Sequence, residues 1–570
     1  MRIALAQMNP VIGDIPRNTA RILEMYSRAQ EAGAELVVFP ELALIGCPAF
    51  DLLARSAVVQ ACMSAIDELA AAAGRIPLVL GAPYLDNENL YNAALVLADG
   101  QIRHRVDKRY IGAHPFLHED RYFTAGENPS VSGWEYAGEK IAFYARGGFD
   151  APPVRKKDFP PGTSLVIVPA ATPFYRGIRK IPLAELLAQT AHCPCIMVDL
   201  TGGNGEYIFD GGSIAAFPGK EVMVCARFAE ELRIVDTVNK TDIVVEGAEG
   251  VGLVYNGPVP RCERDDSSPH ISAGLMRGKG DGSDENRAEL YAACVFGLRE
   301  YVRKSGFTTA VIGLSGGLDS AMLAVFAADA LGVENTVGVS MPSRFSSGGS
   351  VDDAAALART LGIRLETLPI EPIVGAFSGE LAALFAGTES GLAEQNLQAR
   401  IRGTLLMTLA NKFSWLLLNT GNKSEAMTGY CTLYGDTNGA FSVIADIYKT
   451  ELYTLARWIN REHTIIPEAI IAKPPSAELA PGQLDSDSLP PYEVLDEILR
   501  FYLECGYDVK NIAARGIDAG LVRSIIALVE RSEYKRRQAP PMLHLTHTAL
   551  YSPRQVPLAA RTVLFPEDFA

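Results

Sequence analysis

The sequence predicts an α/β protein built as two layered domains, and three observations predict it. Short β-branched runs alternate with longer helical patterns over roughly the first 260 residues. A polar stretch rich in Gly, Pro, Asp and Ser then breaks the alternation between about Tyr255 and Arg287. Beyond it a second alternating run opens on the apolar segment Ala310-Val311-Ile312-Gly313-Leu314. A chain of 570 residues exceeds what one hydrophobic core usually organises. The expected domains are therefore 1–262 and 287–570, joined by a connector at 263–286.

In the first domain, Glu35 to Phe39, Asn92 to Leu97, Ser164 to Val168 and Cys195 to Val198 read as strands, joined partly by hairpins, so the sheet need not be purely parallel. The segment Asn18 to Gly33 is helical, with Ile22, Met25, Tyr26 and Ala29 on one stripe. The second domain starts with an amphipathic helix, Arg287 to Ser305. Strand Ala310 to Leu314 runs into Ser315-Gly316-Gly317-Leu318-Asp319-Ser320 and helix Ala321 to Leu331. Strand Thr336 to Met341, helix Ser350 to Gly362 and strand Ser414 to Asn419 follow, giving an open parallel sheet wound by helices, whose ligands gather at the carboxyl ends of the strands. The tail is helical from Pro490 to Tyr534 and loses periodicity beyond Pro540. The chain contains no internal repeat.

Composition narrows the function. A net charge of -15 argues against a nucleic-acid-coating surface, and no apolar stretch reaches the roughly 18 residues that cross a bilayer. Nine scattered cysteines suit a reducing compartment, and Met1 leads directly into a strand-like run, so a cytoplasmic location is expected. Cys193-Pro194-Cys195 is read as core packing, since one CxC without further ligands is a poor metal signal.

The turn Ser315 to Ser320 carries the chemistry. A strand that delivers two glycines to the start of a helix exposes backbone N–H groups to an anion, and the hydroxyls of Ser315 and Ser320 add donors. No lysine is present in the turn. It holds an acid, Asp319, instead, which makes sense beside phosphate when Mg²⁺ lies between them.

This turn resembles that of the ATP pyrophosphatases, enzymes that cleave ATP between its α and β phosphates. Glu394 to Gly403, Gly421-Asn422-Lys423-Ser424-Glu425, Gly429 to Asp436, Asp446 to Thr450 and Lys473-Pro474-Pro475-Ser476-Ala477-Glu478-Leu479 resemble NAD synthetases in order and spacing over residues 290 to 540. That resemblance implies an adenine nucleotide alpha hydrolase-like doubly wound sheet, with ATP and nicotinic acid adenine dinucleotide as substrates. Asp319, Glu425 and Ser476 would meet Mg²⁺ with the triphosphate. Ser315, Gly316, Gly317, Ser320, Arg344, Arg400, Thr420 and Ser476 would line the nucleotide and phosphate sites, and Asp436 and Lys449 would contact the dinucleotide, with Asp319 and Lys449 central to catalysis. Lys535 reads either as a phosphate ligand or as part of a solvated basic face. A GMP- or asparagine-forming amidotransferase, a tRNA-modifying enzyme and a non-catalytic scaffold or metabolite sensor are the rival readings.

The first domain resembles the nitrilase-type amidases, four-layer α-β-β-α sandwiches that supply ammonia from glutamine. The resemblance rests on Phe39-Pro40-Glu41-Leu42 with Gly46, Asp107-Lys108, Arg121-Tyr122-Phe123, Thr172-Pro173-Phe174 and Phe209-Asp210-Gly211-Gly212-Ser213. Glu41 matches the family's general base and Lys108 its charge-stabilising lysine. Where the family carries its cysteine nucleophile this chain reads Ala145-Arg146-Gly147-Gly148, and a guanidinium forms no acyl-enzyme. Arg146 is instead expected to pair with Glu41. The expectation is an ammonia-using synthetase, with ammonia free or supplied by a separate protein, and an active glutamine-dependent enzyme is the alternative. The retained domain would then serve packing in a homo-oligomer, or a small-molecule or partner site around Glu41, Lys108 and Arg146.

Overall fold

The computed structural model describes residues 1–111, 117–127, 131–145, 155–177, 181–219, 221–247, 284–546 and 558. Arg146 and most of the expected connector, 263–283, lie outside the described residues. The chain divides into two compact units, Met1–Ser267 and Ser268–Ala570.

Two sheets form the first unit. One contains β1 (Arg2–Gln7), β2 (Leu36–Val38), β3 (Leu78–Asp86), β4 (Asn89–Ala98) and β5 (Gln101–Asp107). The other contains β6 (Val131–Tyr136), β7 (Glu139–Tyr144), β8 (Leu165–Ala170) and β9 (Cys195–Asp199). A two-stranded ribbon, β10 (Thr201–Asn204) with β11 (Tyr207–Asp210), precedes β12 (Ile214–Phe217) and β13 (Glu221–Val224), which complete the second sheet in the order β13-β12-β9-β8-β7-β6. β14 (Glu231–Asp236) and β15 (Thr241–Gly247) return to the first sheet, ordered β15-β14-β1-β2-β3-β4-β5. Only β1-β2-β3 and β7-β8-β9 are parallel; every other pairing within these two sheets is antiparallel.

The alternation of strand side chains sets the layers. Ile3, Leu5, Leu36 and Val38 face Ile141, Phe143, Ile167 and Ile196 in a core between the sheets. The opposite faces meet helices. Ala4, Val37 and Phe39 pack with Ile22, Met25 and Tyr26 of helix Ile15–Glu31 and with Ile66 and Leu69 of helix Ser56–Ala72. Val166, Val168, Cys195 and Met197 pack with Ala184, Leu187 and Ala188. The result is the expected α-β-β-α sandwich, and Cys193 and Cys195 are buried in its apolar packing.

The second unit is a five-stranded parallel sheet: β16 (Ala310–Gly313), β17 (Thr336–Ser340), β18 (Arg364–Thr367), β19 (Leu416–Asn419) and β20 (Phe441–Ser442), ordered β18-β17-β16-β19-β20. The chain reverses its direction of travel across the sheet between β16 and β19, which opens a crevice at their carboxyl ends. A helical cluster built on Leu495, Leu499, Ile512, Val522 and Ile526 completes the unit. Among the described residues no helix is long and apolar enough to cross a membrane.

Candidate active site

The turn Ser315 to Ser320 sits at the crevice because β16 ends at Gly313 and helix Leu318–Leu331 begins four residues after Leu314 is tied to the Val339 carbonyl. Gly316 has φ +79, and a Cβ there would lie 2.2 Å from the Ser350 carbonyl oxygen, so the position requires glycine. The Ser315 hydroxyl accepts from the Gly317 N–H at 3.2 Å and lies 3.2 Å from the Ser320 hydroxyl, which donates to the Gly317 carbonyl at 3.0 Å. These bonds hold the turn open toward a cavity of about 330 Å³.

Three charged groups converge beside the turn. Lys449, the first residue of helix Lys449–Ile459, pairs through Nζ with Asp319. Glu425 caps its own helix through Asn422, whose Nδ2 donates to Asp319 at 3.4 Å. Burial, and then the neighbouring Asp319, push the Glu425 carboxyl up to about 8. Lys449 is held above the ordinary lysine range because its carboxylate neighbours outweigh the penalty of its burial. On the far wall, burial raises Asp436 to about 6. Its main-chain carbonyl accepts from Asn419 Nδ2 at 2.7 Å.

Ser315, Gly316, Gly317, Asp319, Ser320, Thr420, Glu425, Asp436, Lys449, Ser476 and Lys535 all line this cavity. Lys535 Nζ donates to the Gly429 and Cys431 carbonyls, each at 2.7 Å, and the Ser476 hydroxyl to that of Gln483. Arg344 and Arg400 do not line it. Both are exposed; the Arg344 guanidinium is tied to Glu371, and Arg400 Nε donates to the Leu433 carbonyl. Lys473 and Asp485 are among the further residues of the lining. Lys473 Nζ reaches Asp353 at 2.6 Å, Ser350 Oγ at 3.0 Å and the Gly316 carbonyl at 3.4 Å, supplying beside the turn the lysine that the turn lacks. Asp485, raised by burial, accepts from the Tyr492 hydroxyl at 2.9 Å. Lys473 was legible as the only cation of its Pro-rich motif; Asp485 carries no comparable signal.

In the first unit, Lys108 Nζ donates to Glu41 at 2.7 Å and to Glu119 at 2.7 Å. Asn92 Nδ2 bridges the same two carboxylates at 2.6 and 2.9 Å. Glu119 lies two residues before Arg121-Tyr122-Phe123, and its partnership with Lys108 is visible only in three dimensions. Burial pushes Glu41 up and Lys108 draws it back. The adjoining space is about 10 Å³ among the described residues, room for about one water.

A parallel sheet with a glycine turn at its switch point, joined in one chain to an α-β-β-α sandwich, defines a two-domain α/β protein with its main cavity at the carboxyl ends of the parallel strands. The family comparisons agree with this division. Residues 290–539 match NAD synthase, and residues 2–147 match the carbon-nitrogen hydrolases. The chain is 39% identical to the glutamine-dependent NAD(+) synthetase of Synechocystis sp., over 98% of both chains. It is 38% identical to that of Thermotoga maritima, over 98% of this chain and 99% of that one. A solved glutamine-dependent NAD(+) synthetase from Acinetobacter baumannii, in complex with adenosine diphosphate, superposes with a TM-score of 0.72 at 34% identity, covering 98% of each chain. The chain belongs to the glutamine-dependent NAD(+) synthetase family.

Proposed function

We propose that this protein amidates nicotinic acid adenine dinucleotide to NAD(+) at the expense of ATP. The observation that carries the reading is the convergence of the turn Ser315 to Ser320 with Asp319, Glu425 and Lys449 in one cavity. The substrate carboxylate is a poor electrophile, so its oxygen attacks the α-phosphorus of ATP and pyrophosphate leaves. Ammonia then adds to the acyl carbon of the mixed anhydride, AMP departs, and the nitrogen gives up its extra proton. Positioning and charge neutralisation lower the barrier. The turn's amides would hold the phosphates, Lys449 the charge near the reacting groups, and Thr420, Asp436, Ser476 and Lys535 the nucleotide and dinucleotide. Arg344 and Arg400 would join only by leaving Glu371 and the Leu433 carbonyl. The half-buried pair Asp319 and Glu425 fits Mg²⁺: burial and then the neighbouring Asp319 raise the Glu425 carboxyl, and a divalent cation would relieve both carboxylates. With Ser476 they would hold the ion, which would neutralise charge on the triphosphate.

We further infer that ammonia is the nitrogen donor, because Arg146 stands in place of the cysteine nucleophile. The network of Glu41, Lys108, Glu119 and Asn92 favours a second reading, glutamine hydrolysis, since it keeps a base and a cation together in the relatives' amidase fold. The buried thiols support work in the cytoplasm, and the retained sandwich supports a homo-oligomer or a site for an ammonia-supplying partner. NAD formation with ATP, Mg²⁺, nicotinic acid adenine dinucleotide and either ammonium or glutamine as sole nitrogen source tests both readings. Turnover on ammonium alone is expected; equal turnover on glutamine establishes the second reading, and no AMP release with either removes synthesis altogether.

A further inference from the structure

We propose that Asp496, outside the cavity, is a positioning residue that sets where Lys449 stands relative to Glu425. The inference rests on the reading of Lys449 as the cation of the ATP site. Lys449 and Glu425 lie on different helices, Lys449–Ile459 and Lys423–Thr428, and each helix presents a backbone or hydroxyl donor to the same carboxylate. Ser424 accepts from the Lys449 N–H at 3.0 Å and donates its own hydroxyl to Asp496 Oδ1 at 2.5 Å. Asp496 Oδ2 accepts from the Thr450 N–H at 2.9 Å and from the Thr450 hydroxyl at 2.7 Å. Ser424, the residue next to Glu425, and Thr450, the second residue of the Lys449 helix, are thus fastened to one side chain, itself only 2% exposed, and Lys449 is tied to it through Ser424.

Burying a carboxylate is costly unless its oxygens are satisfied. Here three donors from the two site-bearing helices do so, and the helix N-terminus at Lys449 favours a negative charge. One turn before Asp496, and so on the same helical face, Tyr492 lies with its ring 5.7 Å from Lys449 Nζ. Helix Tyr492–Leu503 therefore constrains the main chain of Lys449 through Asp496 and flanks its side chain through Tyr492. Replacing Asp496 by Asn puts an amide donor against an environment made of donors. The two helices then lose their common anchor while Lys449, Glu425 and Asp319 all remain.

The test is a double-mutant cycle on the full chain in the ammonium-driven reaction, with kcat and equilibrium ATP binding measured for Asp496→Asn, Lys449→Ala and the double variant. Loss of an outer partner of a site residue typically lowers activity about 10- to 100-fold. That loss in kcat, with weakened ATP binding, is expected for Asp496→Asn in the wild-type background and is expected to vanish in the Lys449→Ala background. Losses that add fully, or wild-type kcat in Asp496→Asn, overturn the proposal. Unimpaired turnover in Lys449→Ala overturns instead the reading on which it rests. Thr450→Val, which removes one hydroxyl donor and leaves the buried carboxylate its other two bonds, replaces Asp496→Asn in the cycle if the latter does not fold.

Discussion

Lys423 Nζ lies 2.9 Å from a carboxylate oxygen of Asp446, and neither side chain has any exposed surface. Asp446 also accepts from the N–H groups of Leu545 and Thr546, so the pair fastens the chain's late segment to the start of the helix that carries Glu425. Removing one partner of a buried ion pair costs about 3–5 kcal/mol because the other charge is stranded. Lys423→Met is expected to destabilise the second unit by that order, read as a lower midpoint in denaturant unfolding. A shift within about 0.5 kcal/mol, the usual range for surface changes, would show that the contact carries little.

Gly316 offers a sharper separation of fold from function. An alanine methyl would meet the Ser350 carbonyl oxygen at 2.2 Å in a backbone conformation that L residues rarely adopt. Gly316→Ala is expected to abolish ATP binding by calorimetry while circular dichroism keeps the wild-type spectrum. Tight ATP binding in the variant would show that the turn is not the phosphate cradle.

Glu425 sets a pH dependence. Its folded-state value, about 8, lies above the ordinary 4.5, so it contributes stability that is complete below 4.5 and is lost as pH rises toward and through 8. Melting of the ligand-free protein should therefore move to lower temperature across that window, and Glu425→Gln should flatten the slope. Mg²⁺ with ATP should stabilise the wild type more at pH 8 than at pH 6, because cation binding needs the ionised carboxylate. An unchanged slope in Glu425→Gln would assign the dependence elsewhere.

Lys108→Met tests the amidase-like unit. It would leave Glu41 and Glu119 facing each other without the ammonium that both now contact at 2.7 Å. One carboxyl should then hold its proton near neutrality, and the thermal midpoint should fall. Retention of the wild-type midpoint from pH 6 to 8 would mean that the triad does not support the sandwich.

The second-unit site was legible where chemistry follows from local order. The apolar run Ala310 to Leu314 dictates a buried strand, and the glycines of Ser315 to Ser320 dictate a tight turn into a helix; the strand, the turn and the helix are present, and the turn lines the cavity. The layering of the first unit followed from short apolar runs such as β8, buried on both faces, and from the stripe on helix Ile15–Glu31. Arg344 and Arg400 show where such reading stops: sequence reports a positive charge near a strand end but not that its guanidinium turns to Glu371 or a nearby carbonyl. Asp485 and Glu119 carry no signal in the sequence because each opens a three-residue 3-10 helix and takes its partners from other elements. Asp496 sits on a strongly amphipathic helix where a polar residue reads as surface, yet the fold buries it between two other helices.

The strand order places Asp319 in a site with residues 103 and 130 positions later in the chain. During synthesis the glycine turn therefore leaves the ribosome well before Asn422 and Lys449 exist to meet it. On the proposed reading, ATP would stabilise only chains long enough to hold all three groups, and products of interrupted translation would gain no such ligand protection.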